Sequence, residues 1–132
     1  MTAGKGIVHA EMPGSFTEDS YGFQLWINLE AKNKFVEPRY QEFNSNTIPF
    51  YEDANMKAKV VSGKVFDVTG PIVACTPAWF IDFNFTEVDK VYRHTIPAGW
   101  VSIIVVYEGA LEVQGSIVKS AVQVIQFLPN ES

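Results

Sequence analysis

No stretch of this chain carries a helical pattern for ten residues; short alternating runs of apolar and polar residues follow one another instead, each closed by glycine or proline. Alternation with period two places successive side chains on opposite faces of a strand. In Gly22 to Leu29, Phe23, Leu25, Ile27 and Leu29 fall on one face, with Gln24, Trp26 and Asn28 on the other. In Ala78 to Phe85, Trp79, Ile81, Phe83 and Phe85 are in step, and Asp82 and Asn84 oppose them. Ile7 to Met12, Lys57 to Ser62, Val65 to Val68, Ala110 to Gln114 and Ala121 to Leu128 read as further strands. Trp100 to Tyr107 is a near-continuous apolar run, the pattern of a strand buried on both faces. Pro13-Gly14, Gly63, Gly70-Pro71, Glu108-Gly109 and Gly115 supply the turns. Ten Phe, five Tyr and three Trp suit such a framework. The pattern predicts an all-β protein, a sandwich or a barrel.

With 132 residues, 47% of them hydrophobic and 19% charged, the chain has the composition of a folded protein with room for one domain or pieces of two. Asn44 to Asn55 is polar and broken by Pro49. The expected division is therefore a first domain over 1–43, a linker over 44–56 and a second domain over 57–132. A formal net charge of -5 argues against direct binding of nucleic acid, which calls for a basic face, and leaves action through a protein partner open. The single cysteine, Cys75, excludes an internal disulfide and reads as a small buried hydrophobe. Absence of disulfides fits a reducing compartment. No apolar stretch approaches the roughly 20 residues of a membrane span, and Met1 to Gly6 leads straight into a strand-like run rather than a leader. These features predict a soluble intracellular protein.

Chemistry-bearing patterns are few. Residues i and i+2 of a strand point the same way, roughly 6.5–7 Å apart, so His9 and Glu11 project from one face toward a common point. An imidazole with a carboxylate suits zinc, iron, nickel, manganese or copper. The same spacing also describes polar alternates on a solvent-facing strand. The only other histidine, His94, sits before the Ile96-Pro97 turn and reads as a rim or loop residue. Glu11, Asp82, Glu108 and Glu112 declare no catalytic carboxylate pair. Neither a nucleophile elbow nor a phosphate-binding glycine loop is present. Trp26, Trp79 and Trp100 fit barrel core or surface better than a stacking platform for sugars. Lys32, Lys34 and Arg39 make a small basic cluster, a solvated face or a docking patch.

The block Met1-Thr2-Ala3-Gly4-Lys5-Gly6-Ile7-Val8-His9-Ala10-Glu11-Met12-Pro13 resembles the M-T-A-G-x-G-I-x-H-x-E-M-P signature of the pirin family. The resemblance continues through Gly22 to Leu29, Lys32-Asn33-Lys34, Glu37 to Glu42 and Ile48-Pro49. It is looser but traceable in Pro77 to Phe83, Ile96-Pro97-Ala98-Gly99-Trp100 and Tyr107-Glu108-Gly109. What it implies is specific. Pirins are bicupins, two β-barrel domains with one iron in the first barrel, held by three histidines and a glutamate. His9 and Glu11 match the third histidine and the glutamate. The first two histidines belong to a D-H-P-H-R-G stretch upstream of the M-T-A-G block, and the family continues beyond Phe127-Leu128.

By resemblance, then, this chain is expected to be an internal fragment, with cupin-type antiparallel barrel or jelly-roll strands from parts of two cupin domains. Residues 1–43 would be the end of the metal-site domain and 57–132 a partial second domain. The implied role is an iron-dependent, redox-sensitive transcriptional co-regulator, nuclear or cytoplasmic, that acts through protein partners such as transcription factors. The alternatives are a quercetin 2,3-dioxygenase with a flavonol substrate, or a truncated product without activity. With His9 and His94 its only histidines, one copy falls short of a three-histidine site. Open sheet edges would favour self-association.

Overall fold

Strands form in this protein where the sequence supplies both the alternating pattern and a neighbour to complete the ladder. The structure is a computed structural model that describes residues 1–119 and 123–129. Two compact units divide it, Met1–Lys90 and Val91–Ser132. Apart from one 3-10 turn at Ala31–Asn33, the regular structure of the described residues consists of antiparallel strands, so the expected all-β class is the observed one.

In the first unit, β1 (Phe50–Glu52), β2 (Met56–Ser62), β3 (Lys64–Val65), β4 (Val68–Thr69) and β5 (Phe80–Phe85) follow in order. β2 is the centre of a three-stranded sheet, flanked by β1 and β5. Its alternation is realised cleanly: Met56, Ala58, Val60 and Ser62 are buried, and the intervening residues are half-buried. Ala58, Val60 and Val65 form the core, with Tyr51, Val68, Ile81 and Phe83 packed against them. Ser62 is the polar exception. Its hydroxyl lies 2.9 Å from the Ile72 carbonyl and 2.7 Å from the Ala78 carbonyl, so its proton always has an acceptor and its burial is tolerated. A register shift between Val60 and Ser62 turns the strand at this point. β3 and β4 form a hairpin in which Phe66 takes a φ of 50° and lays its ring 4.5 Å from that of Tyr51.

The range expected to be a linker, 44–56, is not a bare connection. It contains β1, the β1–β2 turn and the start of β2. Pro49 interrupts no ladder there, because its contribution is a carbonyl that accepts from Val60 N–H at 2.9 Å. Asp53 closes the turn: its carboxylate accepts from the backbone N–H groups of Asn55 at 2.7 Å and Met56 at 3.0 Å, and from the Tyr51 hydroxyl at 3.1 Å. These bonds, the Asn55 amide first, hold the Asp53 carboxyl below the usual carboxylate range. A group depressed in the folded state stabilises the fold fully above its unfolded pKa, about 3.9, and that contribution fades as pH falls through the lower folded value. Asp53→Ala should therefore melt lower than the parent at neutral pH and show a flatter acid limb below about pH 4. Thermal melts across that range check it, and parallel curves for the two proteins would count against the turn.

Residues 1–43 are tied to one another by backbone bonds and to the loop after β4 by polar side chains. Thr2 and Arg39 form an isolated antiparallel bridge, and Lys5 N–H donates to the Val36 carbonyl. The Gln41 amide grips the Val73 backbone at both ends, donating to its carbonyl at 2.9 Å and accepting from its N–H at 3.1 Å, while Arg39 donates to the same carbonyl at 2.6 Å. The strands expected over Ile7 to Met12 and Gly22 to Leu29 do not form among the described residues. Alternation selects which side chains share a face, but the ladder needs a second chain of amides, and among the described residues none pairs with these runs. Phe23, Leu25, Trp26 and Ile27 consequently stand exposed.

In the second unit, β6 (Ser102–Val106), β7 (Ala110–Val113), β8 (Ser116–Lys119) and β9 (Gln123–Phe127) follow. β6 pairs with β9, and β7 with β8. The turn between β7 and β8 holds Gln114 and Gly115 at φ of 49° and 82°, the two positive angles of a tight type I′ hairpin. Reading Gly115 only as a turn missed β8 beyond it. Ala121, where the last strand was expected to begin, lies outside the described residues. Burial of the Trp100 to Tyr107 run on both faces is not observed: Val106 is buried, while Ile103 and Val105 are exposed. Pairing with β9 fills an edge of β6, and a ladder by itself buries neither face. No helix among the described residues is long and apolar enough to cross a membrane.

Candidate metal centre

Although no strand forms over Ile7 to Met12, His9 and Glu11 come together as their spacing suggests: His9 Nε2 is 3.7 Å from Glu11 Oε1. Both face solvent, with 41% of the His9 side chain and 70% of the Glu11 side chain accessible. The backbone nearby is fixed by the Tyr40 hydroxyl, which donates to the Val8 carbonyl at 2.6 Å.

Two further residues join the pair. Gln24 Nε2 donates to Glu11 Oε1 at 2.7 Å, and Trp26 Nε1 donates to Gln24 Oε1 at 2.9 Å. The indole bond fixes which end of the Gln24 amide faces the carboxylate, and the amide in turn orients Glu11. An outer shell of this kind is what aims a carboxylate at an ion. The sequence pattern carried the signal, since Gln24 and Trp26 fall together on the polar face of the Gly22 to Leu29 alternation. Their relation to Glu11, thirteen residues away, depends on chain folding.

The donor chemistry, one nitrogen and one carboxylate, is right for a first-row transition metal, but the number is not. Among the described residues no cluster of three or more His, Cys, Asp or Glu side chains is disposed to hold an ion. Structural and catalytic sites generally use three or four protein ligands. One copy of this chain therefore offers half of a centre and does not by itself fit a four-ligand iron.

His94 belongs to the second unit. Its Nδ1 lies 3.2 Å from the Tyr92 hydroxyl and the two rings stack at 6.0 Å, while partial burial pushes the imidazole below its ordinary range and favours the neutral form. Cys75 is half-buried rather than fully enclosed. The basic cluster is dispersed into local pairs, Lys32 with Glu30 at 2.7 Å and Lys34 with the Asn28 side chain.

An all-β chain with an aligned histidine–carboxylate pair in an M-T-A-G-x-G-I-x-H-x-E-M-P setting defines a narrow class. The chain is 36% identical over 134 residues to Pirin-1 of Arabidopsis thaliana, a match covering 99% of this chain and 46% of that protein. It is 40% identical over 109 residues to Pirin of Homo sapiens, covering 83% of this chain and 37% of the relative. With Pirin-like protein 2 of Arabidopsis thaliana the identity is 36% over 108 residues. This chain belongs to the pirin family. It spans less than half the length of the curated relatives it matches. No family model and no solved structure matches it.

Proposed function

We propose that this chain works through protein partners, as a pirin-type co-regulator whose His9–Glu11 pair is one half of a metal centre. Its support is the open placement of that pair: a histidine and a carboxylate 3.7 Å apart, solvent-facing, in a segment where Val8, Met12 and Trp26 are exposed apolar side chains. Exposed apolar surface next to an ion-binding pair is suited to a contact that the ion's presence or charge can bias. Iron and redox sensitivity are the form this takes if two further ligands complete the set. An acidic balance, -5 overall, directs the activity toward proteins rather than nucleic acid. A nuclear or cytoplasmic site of action accompanies this reading.

The flavonol dioxygenase reading is less well supported. Such chemistry needs an enclosed ion with an open coordination position inside a dry cavity, and His9 and Glu11 stand in solvent.

Metal analysis of the purified chain tests the site. Bound transition metal is expected in the parent, with affinity lowered at least about 10-fold in His9→Ala and in Glu11→Ala. A parent that retains no metal after dialysis, or variants that retain as much as the parent, would remove the pair from the function.

A further inference from the structure

Between the β2–β3 turn and the loop after β4 runs a surface groove of about 340 Å³. Clefts that hold small molecules start at roughly 300 Å³, so the space suits a compact ligand. Small residues create it. Gly63, Gly70, Ala74 and Ala78 all line the groove, and none carries a side chain beyond Cβ. Gly70 is fixed in that role, because a Cβ there would come within 2.7 Å of the Val61 and Ser62 backbone. Ile72 and Pro77 add apolar wall.

The groove is held in shape from several sides. The buried Ser62 hydroxyl lies within hydrogen-bond reach of the Ile72 and Ala78 carbonyls, which pins the loop at both ends. Ile72 N–H donates to the Val61 carbonyl at 3.2 Å, and Gly70 N–H to the Gly63 carbonyl at 2.9 Å. Gln41 and Arg39 grip the Val73 backbone between them. A ligand entering here has little chain to order, and such pre-organisation lets a small contact area bind.

Charge narrows the choice of ligand. Lys64 is the one charged residue of the lining, and no Asp or Glu belongs to it. That is a local excess of positive charge in a chain with 15 acidic and 10 basic residues. Lys64 makes no ion pair or hydrogen bond among the described residues. Thr69, its cross-strand neighbour in the β3–β4 hairpin, adds a hydroxyl to the lining. One ammonium and one hydroxyl beside an apolar wall complement a carboxylate on an apolar body. A phosphate, with more charge and three acceptor oxygens, calls for more donors than these two.

We propose that this groove binds small organic carboxylates with a compact apolar body, the acid group on Lys64 and the body against Ala74, Pro77 and Ala78. The proposal is independent of the His9–Glu11 reading and uses none of its residues.

Amide proton–nitrogen correlation spectra of the full chain, titrated with naphthalenecarboxylate, test it. The amides of Gly63, Gly70 and Ala74 should shift in a saturable way at millimolar ligand, while that of Gly14 stays in place. Naphthalenemethanol, the same body without the charge, should bind about 5-fold more weakly or worse, and so should naphthalenecarboxylate to Lys64→Gln. Acetate, the charge without the body, should leave these amides unmoved. Ala74→Leu, which enlarges a lining side chain, should weaken binding while the rest of its spectrum reports an intact fold. No shift at the groove amides would overturn the proposal. Equal binding of the neutral analogue, or of Lys64→Gln, would show an apolar surface that does not select acids and overturn it as well. Acetate acting as strongly as naphthalenecarboxylate would reduce the site to a surface ion contact, with the same consequence.

Discussion

Gly63→Val should lower the melting temperature by about 12 °C or more, through a loss of about 3 kcal/mol. Gly63 links β2 to β3 at a φ of 91°, in the left-handed half of backbone space that β-branched residues avoid. A Cβ at this position would overlap the Cβ, Cγ and Cδ1 of Trp79, the residue just before β5. Strain in the turn and overpacking against the indole add, because neither can relax without moving the other. The Gly63 carbonyl is not idle either: it accepts from Gly70 N–H at 2.9 Å and so ties the β3–β4 hairpin back to the turn. Gly14→Ala is the matched control: no atom lies within 4 Å of its would-be Cβ, and it should melt with the parent. Differential scanning calorimetry on both variants decides the matter. A Gly63→Val protein that melts within 2–3 °C of the parent, roughly half a kcal/mol, would show that the turn and Trp79 give way freely.

Val60→Asp should abolish the folded form of the β1-β2-β5 sheet. Val60 has no exposed surface, lies opposite Ile81 and packs in the cluster with Ala58 and Val65. A carboxylate there loses its hydration and gains no cation, a cost of several kcal/mol that is comparable with the whole stability of a small unit. Replacing the same side chain by Ala removes two methyl groups and should cost only about 1–3 kcal/mol. The two substitutions separate burial of charge from loss of volume. Urea titration followed by near-ultraviolet circular dichroism should find Val60→Ala folded with a lower midpoint and Val60→Asp without a cooperative transition. A cooperative transition in Val60→Asp would mean that this strand is not the core of its unit.

The β2 strand was legible in the sequence because its ends are marked by Asn55 and Gly63 and its inward residues alternate without error. β5 was legible for the same reason, with Ile81 and Phe83 turned inward as their step predicted. β1 was not. Three residues inside a polar stretch carry too short a pattern, and the strand exists because Asp53 closes the turn and β2 supplies the ladder. Gly22 to Leu29 fails in the opposite sense, with a clear pattern and no neighbour. At the site, the approach of His9 to Glu11 was legible because it is local, between residues two positions apart. The bonds from Trp26 to Gln24 and from Gln24 to Glu11 were not, since no local rule relates residues thirteen positions apart.

By itself the sequence determined that this protein is all-β, that it belongs with the pirins, and that a histidine and a carboxylate share one face of an extended segment. These are consequences of short-range geometry, period two and fixed chirality, and of motifs read in order. Only the tertiary structure decided which alternating runs become strands, which polar side chains steady Glu11, and that Ala58, Val60 and Val65 meet in one core with Tyr51, Val68, Ile81 and Phe83 against it. Hydrogen-bond ladders and apolar burial are relations between distant segments, and a strand pattern without its neighbour stays an exposed extended chain.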